Sequence, residues 1–201
     1  MPFAKRYEYF EVRTMLQGAE GVVSPVTGQA AHSRILHAKS VAGSGGTQDA
    51  VMVDRTNLRP GESGRAARAR GSVPTSSAFP NLLQQGSAAC EALNSPTGQA
   101  ALAVFDDPAH LGSNLRLTIN VPITREMGFL PASGAPSLHV STRASTVVDK
   151  TQNTSGVRLI IDRAAAGLVM HIQTCIPLGG AAPAATWNVI SKPGDVAVAN
   201  G

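Results

Sequence analysis

The sequence predicts an α+β chain, with helices in its first half and an antiparallel sheet in its second. Three observations predict it. An alanine-rich run, 82–93, and a second helical run, 95–105, that opens on the cap residue Ser95 lie before Pro108. Two alternating segments, 115–121 and 157–163, lie after it. The second of these runs through a tight connection at Ala164 to Gly167 into another apolar run, 168–176, which makes a β-hairpin.

Taken in order, residues 1–30 mix charge with Tyr7, Tyr9 and Phe10 and then turn to Gly21 and Pro25, which reads as an appended N-terminal segment. His32 to Lys39 suits a short helix, stopped by Gly43-Ser44-Gly45-Gly46. Thr47 to Arg55 resumes as a helix with Thr47 placed to cap it. Arg59 to Gly71 is a basic loop by composition, and Pro74 to Pro80 leads into the first alanine-rich helix. Ser95 suits the cap of the second and Pro96 its first turn. Turn-rich sequence separates the two alternating strands. Beyond Gly179 the chain is rich in Ala, Gly and Pro, a C-terminal tail in which Trp187 to Ile190 can pair as an edge strand. The expected organisation is a domain over 31–178 with flanks at 1–30 and 179–201.

At 201 residues and 43% hydrophobic, the chain is long enough for one domain with a real core. Aromatics are only 4%, so contact with nucleic acid would rest on charge and hydrogen bonds rather than on stacked bases. Lys and Arg outnumber Asp and Glu by 17 to 13, a formal charge of +4, which suits an anionic partner. Arg55, Arg59, Arg65, Arg68 and Arg70 concentrate that charge in one stretch. Cys90 and Cys175 are too few for a disulfide framework or a cysteine-rich zinc site. No run of about 18 apolar residues is present, and the first residues do not read as an ordinary signal peptide.

Chemistry gathers at two places. Near His32-Ser33-Arg34-Ile35-Leu36-His37-Ala38-Lys39, imidazoles sit beside cations, a combination that moves protons and holds anions without a metal. His32 and His37 are five positions apart, about 140° on a helix, which excludes the i, i+4 metal pair. The second place is Gln173-Thr174-Cys175-Ile176-Pro177, where strand alternation sets Thr174 with residues 170, 172 and 176, and His171 with Gln173 and Cys175 on the other face. His171 joins Thr174 only through a bulge. His110 and His139 lie in loop-like sequence, and Cys175 has no base beside it.

The ordered set of His32-x-x-x-x-His37 with Lys39, Asp54-Arg55 at a helix end, Thr75-Ser76-Ser77-Ala78-Phe79-Pro80 before alanine-rich helices, and a hairpin ending in Thr174-x-x-Pro177 resembles the bacterial RNase A-like toxin domain of contact-dependent growth inhibition proteins. The resemblance covers about residues 31–178. It implies a kidney-shaped α+β fold, a metal-independent ribonuclease with no cofactor, delivery into the cytoplasm of a target cell, and an acidic immunity protein as partner. It carries the catalytic roles onto His37, Arg55 and Thr174, with His32 and His171 as candidates for a second acid or base and Lys39 and Arg59 for phosphate binding. The family's tyrosine position holds Ile176, and the glycine loop lengthens the His to Arg separation, so Arg59 and Arg65 compete with Arg55.

Two other classes stay open. A non-enzymatic structural or binding protein, such as a virion or secretion-apparatus component, fits the low aromatic content and the lost tyrosine. An ADP-ribosyltransferase toxin is suggested by Ser141-Thr142-Arg143 and Ser145-Thr146 but lacks a Glu-x-Glu or Gln-x-Glu sequence.

Overall fold

A computed structural model describes residues 2–39, 47–63, 66, 73–123, 137–191 and 199–201. Helix α1 spans Tyr9–Ala19, α2 Ser33–His37, α3 Asp49–Thr56, α4 Leu82–Asn94 and α5 Pro96–Asp106. The strands are β1 Thr75–Ala78, β2 Leu115–Pro122, β3 Ser137–Thr142, β4 Asp149–Arg163, β5 Met170–Gly179, β6 Thr186–Ile190 and β7 Ala199–Asn200. They form one antiparallel sheet in the order β1-β3-β4-β2-β6-β7, with β5 also paired to β4. The α+β class and the antiparallel sheet are as the sequence implies.

The strongest local signals fold as read. Asn81 caps α4 by accepting from the Gln84 N–H, and Ser95 caps α5 by accepting from the Gly98 N–H. Strand β2 alternates buried and half-buried along its whole length. Its buried set, Leu115, Leu117, Ile119 and Val121, packs with Val157, Leu159 and Ile161 of β4 under α4 and α5. Gly167 adopts φ 73° in the β4–β5 connection, a left-handed turn that a side chain would resist.

The flanks are not appendages. Residues 1–30 contribute Tyr7, Tyr9, Val12 and Leu16 to the same core, and α1 packs on α4 and β5. The backbone N–H groups of Phe3 and Ala4 both donate to the Asp106 carboxylate at 2.8 Å, which fastens the first residues to the end of α5. At the other end, β6 pairs with β2 and places Val189 in the core, so the expected edge strand forms and β7 pairs outside it. Apolar area decides both cases, since each buried aliphatic or aromatic side chain is worth about 1.5–3 kcal/mol.

Two short strands come from sequence that reads as loop. β1 and β3 are rich in Ser and carry no strong apolar alternation, but their backbones pair from Thr75↔Thr142 to Ala78↔His139. His139 is thus a strand residue and not part of a loop. The helix expected over Thr47–Arg55 begins at Asp49, with Gln48 at its cap position, because Thr47 is drawn into a parallel bridge with Lys39.

Candidate active site

Helix α2 lies along the outer edge of β5, where the His32 N–H donates to the Gln173 carbonyl at 3.3 Å. Its last residue, His37, is 6% exposed. The His37 carbonyl accepts from the Phe79 N–H, and the Phe79 carbonyl accepts from the Lys39 N–H, so β1 and the end of α2 are stitched together. The His37 ring is fixed in turn. Its Nδ1–H donates to the Ser77 carbonyl at 3.0 Å, which sets the tautomer and leaves the Nε2 lone pair as the acceptor. Burial and the nearby positive charge of Arg55 hold its pKa down to about 4, so the ring is neutral at pH 7.

Arg55, on the last turn of α3, is half-buried, and burial lowers its pKa. Its Nη1 donates to Ser76 Oγ at 3.2 Å, and no carboxylate pairs with it among the described residues. Ser76 and Ser77 are the functional residues that the sequence reading passed over. They appear there only as marks of order, yet they hold Arg55 and His37, and Ser77 Oγ also donates to the Pro177 carbonyl at 3.0 Å. A chain of hydrogen bonds therefore runs from α3 through β1 to α2 and β5.

His32 is not on the helix but at its cap position, with φ −145°. The separation of about 140° expected for two residues on one helix does not apply. The rings of His32 and His37 lie 5.8 Å apart, and the His32 Nδ1–H donates to the Ala30 carbonyl at 3.1 Å. No group of three His, Cys, Asp or Glu side chains placed to hold a metal occurs among the described residues.

The strand parity expected for β5 is overturned by a bulge. Thr174 pairs with Ile160 and Ile172 with Ile161, so Gln173 is an extra residue opposite no partner. Ile172 and Cys175 both join the core, and His171, Thr174 and Ile176 share the other face, opposite Asp162, Ile160 and Arg158. His171 is thereby a neighbour of Thr174 along one face. Its Nε2–H is occupied, donating to Gln173 Oε1 at 3.2 Å, and Asp162, held bidentately by Arg116, lies 3.9 Å away. Thr174 is 3% exposed, and its hydroxyl has no hydrogen-bond partner among the described residues. Burial raises the Cys175 thiol pKa, which keeps it a thiol.

The two phosphate-binding candidates are engaged elsewhere. Lys39 is buried with its ammonium on Asp49, and Arg59 is bound by both oxygens of Asp54 at 2.9 and 2.7 Å. Among the described residues, Arg55 is the candidate arginine whose charge acts on His37. Arg65, Arg68 and Arg70 lie outside the described residues. No described helix is long and apolar enough to cross a membrane.

Among the described residues the arrangement offers a buried neutral imidazole with an Nε2 lone pair, a cation with no paired carboxylate, and a hydroxyl with no hydrogen-bond partner. That set can take a proton from an alcohol and hold a negatively charged group next to it. Among known proteins, no family model, no curated protein and no solved structure matches the chain.

Proposed function

We propose that this chain is a metal-independent ribonuclease of the RNase A-like toxin type, with that kidney-shaped fold, used between competing bacteria. The observation that carries the reading is Arg55, half-buried and with no carboxylate paired to it among the described residues, next to a neutral His37 whose tautomer is fixed by Ser77. Cleavage of RNA by internal transesterification needs a base at the ribose 2′-hydroxyl and a cation at the phosphate. His37 Nε2 takes the 2′-hydroxyl proton, the 2′-oxygen attacks phosphorus, and the bond to the 5′-oxygen breaks to leave a 2′,3′-cyclic phosphate. Arg55 holds the phosphoryl oxygens through its fork of N–H donors, and Thr174 supplies a further donor.

The departing 5′-oxygen needs a proton. His32 suits that role better than His171, because it is only half-buried and stands 5.8 Å from His37, whereas His171 is buried and bonded to Gln173. Delivery into a target cell and neutralisation by an acidic immunity protein complete the proposal.

The test is incubation of purified protein with total RNA in EDTA, followed by analysis of the product ends. Cyclic phosphate ends are expected, and His37→Ala abolishes them in a protein whose circular dichroism is unchanged. Full activity of folded His37→Ala overturns the assignment of the base. A non-catalytic binding protein is the second reading, favoured by the burial of His37 and Thr174 and the engagement of Lys39 by Asp49. Oligonucleotide binding without cleavage at any pH selects it.

A further inference from the structure

Two residues beyond His37 a second cluster of charge begins. Lys39 is bound through its ammonium to one oxygen of Asp49, the first residue of α3, and the other oxygen accepts from Lys150 of β4 at 3.1 Å. Two cations close on one carboxylate. The Lys39 side chain is 11% exposed, whereas Asp49 and Lys150 are 43% and 57% exposed, so one cation is fixed and the carboxylate and the second cation are open to solvent.

Polar atoms without partners surround this cluster. Thr47, 2% exposed and bridged to Lys39, has a buried hydroxyl with no hydrogen-bond partner among the described residues. His139 on β3 lies within the field of Lys39, Lys150 and Asp49, and its buried Nδ1 has none either. Buried polar groups are normally satisfied, and these two belong to residues next to the cluster, Thr47 through its backbone bridge to Lys39 and His139 through its charge interaction with both lysines.

We infer that this cluster is a second phosphate-binding site, held shut by Asp49. The carboxylate has two acceptor oxygens and a single negative charge, as a phosphodiester does, and it stands where one phosphate of a single-stranded polynucleotide docks. The polymer's identity rests on the ribonuclease reading; the site itself rests on Lys39, Lys150 and two buried polar atoms without partners among the described residues. Ala38 is extended, and the His37 carbonyl and the Lys39 N–H on either side of it both bond to the Phe79 backbone, so His37 and Lys39 stand about 6.6 Å apart along the connection. That is the reach of one nucleotide step in an extended strand. A phosphate at His37 and Arg55 thus brings its neighbour to Lys39, where it displaces Asp49 and gains Lys150.

The experiment is fluorescence anisotropy with a labelled single-stranded DNA 12-mer, which has no 2′-hydroxyl and is not cleaved, titrated at several salt concentrations. Asp49→Asn should tighten binding about tenfold and steepen the salt slope by about 0.7 for each phosphate newly neutralised. Lys150→Ala should remove most of the gain made by Asp49→Asn, a coupling that simple loss of charge does not produce. Unchanged affinity and slope in folded Asp49→Asn overturn the site. Should Asp49→Asn fail to fold, footprinting of the natural chain decides: bound 12-mer should shield Lys150 from acetylation severalfold, and undiminished labelling overturns the inference. A chain that passes these tests and leaves RNA intact keeps the site and loses the ribonuclease. One that cleaves RNA but fails them loses only the site.

Discussion

Two arginines in this molecule are taken out of water in opposite ways. Arg163, the last residue of β4, is fully buried, and its guanidinium donates to the carbonyls of Phe105, His110 and Ser113 while lying over the Phe105 ring at 5.4 Å. Arg55 is half-buried and bonded to one serine hydroxyl. At Arg163 the backbone supplies most of what the cation has lost, and the cation in turn ties the end of α5 to the start of β2. That is an arrangement for holding a fold. At Arg55 a single side-chain hydrogen bond, to Ser76, is made among the described residues, and the charge acts on a neutral histidine instead.

The largest expected effect tests the first half of that contrast. Arg163→Met removes the donors of three carbonyls at once and should cost about 3–5 kcal/mol of unfolding free energy, read from urea midpoints. A loss below about 1 kcal/mol would erase the distinction between the two sites.

Next in size is the response to acid near Arg55. His37 has a folded pKa of about 4 against an ordinary value of 6.5, so the unfolded chain takes the proton first. Its contribution is undiminished above about pH 6.5, is lost as pH falls towards 4, and amounts to about 3 kcal/mol across that window at about 1.36 kcal/mol per pH unit. In His37→Gln, whose amide can still donate to Ser77, this part of the pH dependence should vanish. A slope unaltered by the substitution would mean that another group carries it.

The smallest change in stability belongs to Arg55→Met, within about 1 kcal/mol, since only one hydrogen bond of net modest worth is lost. RNA cleavage by the same variant should nevertheless fall by a factor of about 10² to 10³. Arg55→Met that unfolds as readily as Arg163→Met would make the two arginines one kind.

Much of this was legible in the sequence where local signals are strong. Ser95 and Pro96 announce α5, and the alternation of Leu115, Leu117, Ile119 and Val121 announces β2. Helix α1 was not legible, because its buried stripe of Tyr9, Val12, Leu16 and Ala19 is interleaved with charge and gains its meaning from packing on α4. β1 and β3 were hidden for a related reason: they are held by backbone pairing and by contacts such as Thr56 Oγ1 with Ser141 Oγ at 2.9 Å, not by an apolar pattern. Of the site, the residue types at His37 and Arg55 were visible, and what holds them was not. Nothing in Ser77 as a letter says that its carbonyl will accept from an imidazole forty positions earlier in the chain.

The bulge at Gln173 has a consequence for what must be preserved as such a chain changes. Strand residues are usually compared by identity, position against position. Here what builds the site is a register. Were Gln173 paired like its neighbours, β5 would alternate simply, and keeping Ile172 in the core would carry the Thr174 hydroxyl in with the leucines and force Cys175 out of them. A chain that paired Gln173 could retain each letter from His171 to Pro177 and still be unable to set His171 and Thr174 on one face. Two descendants of such a sequence could differ at most positions and share the site, or differ only in whether one residue is paired and not share it.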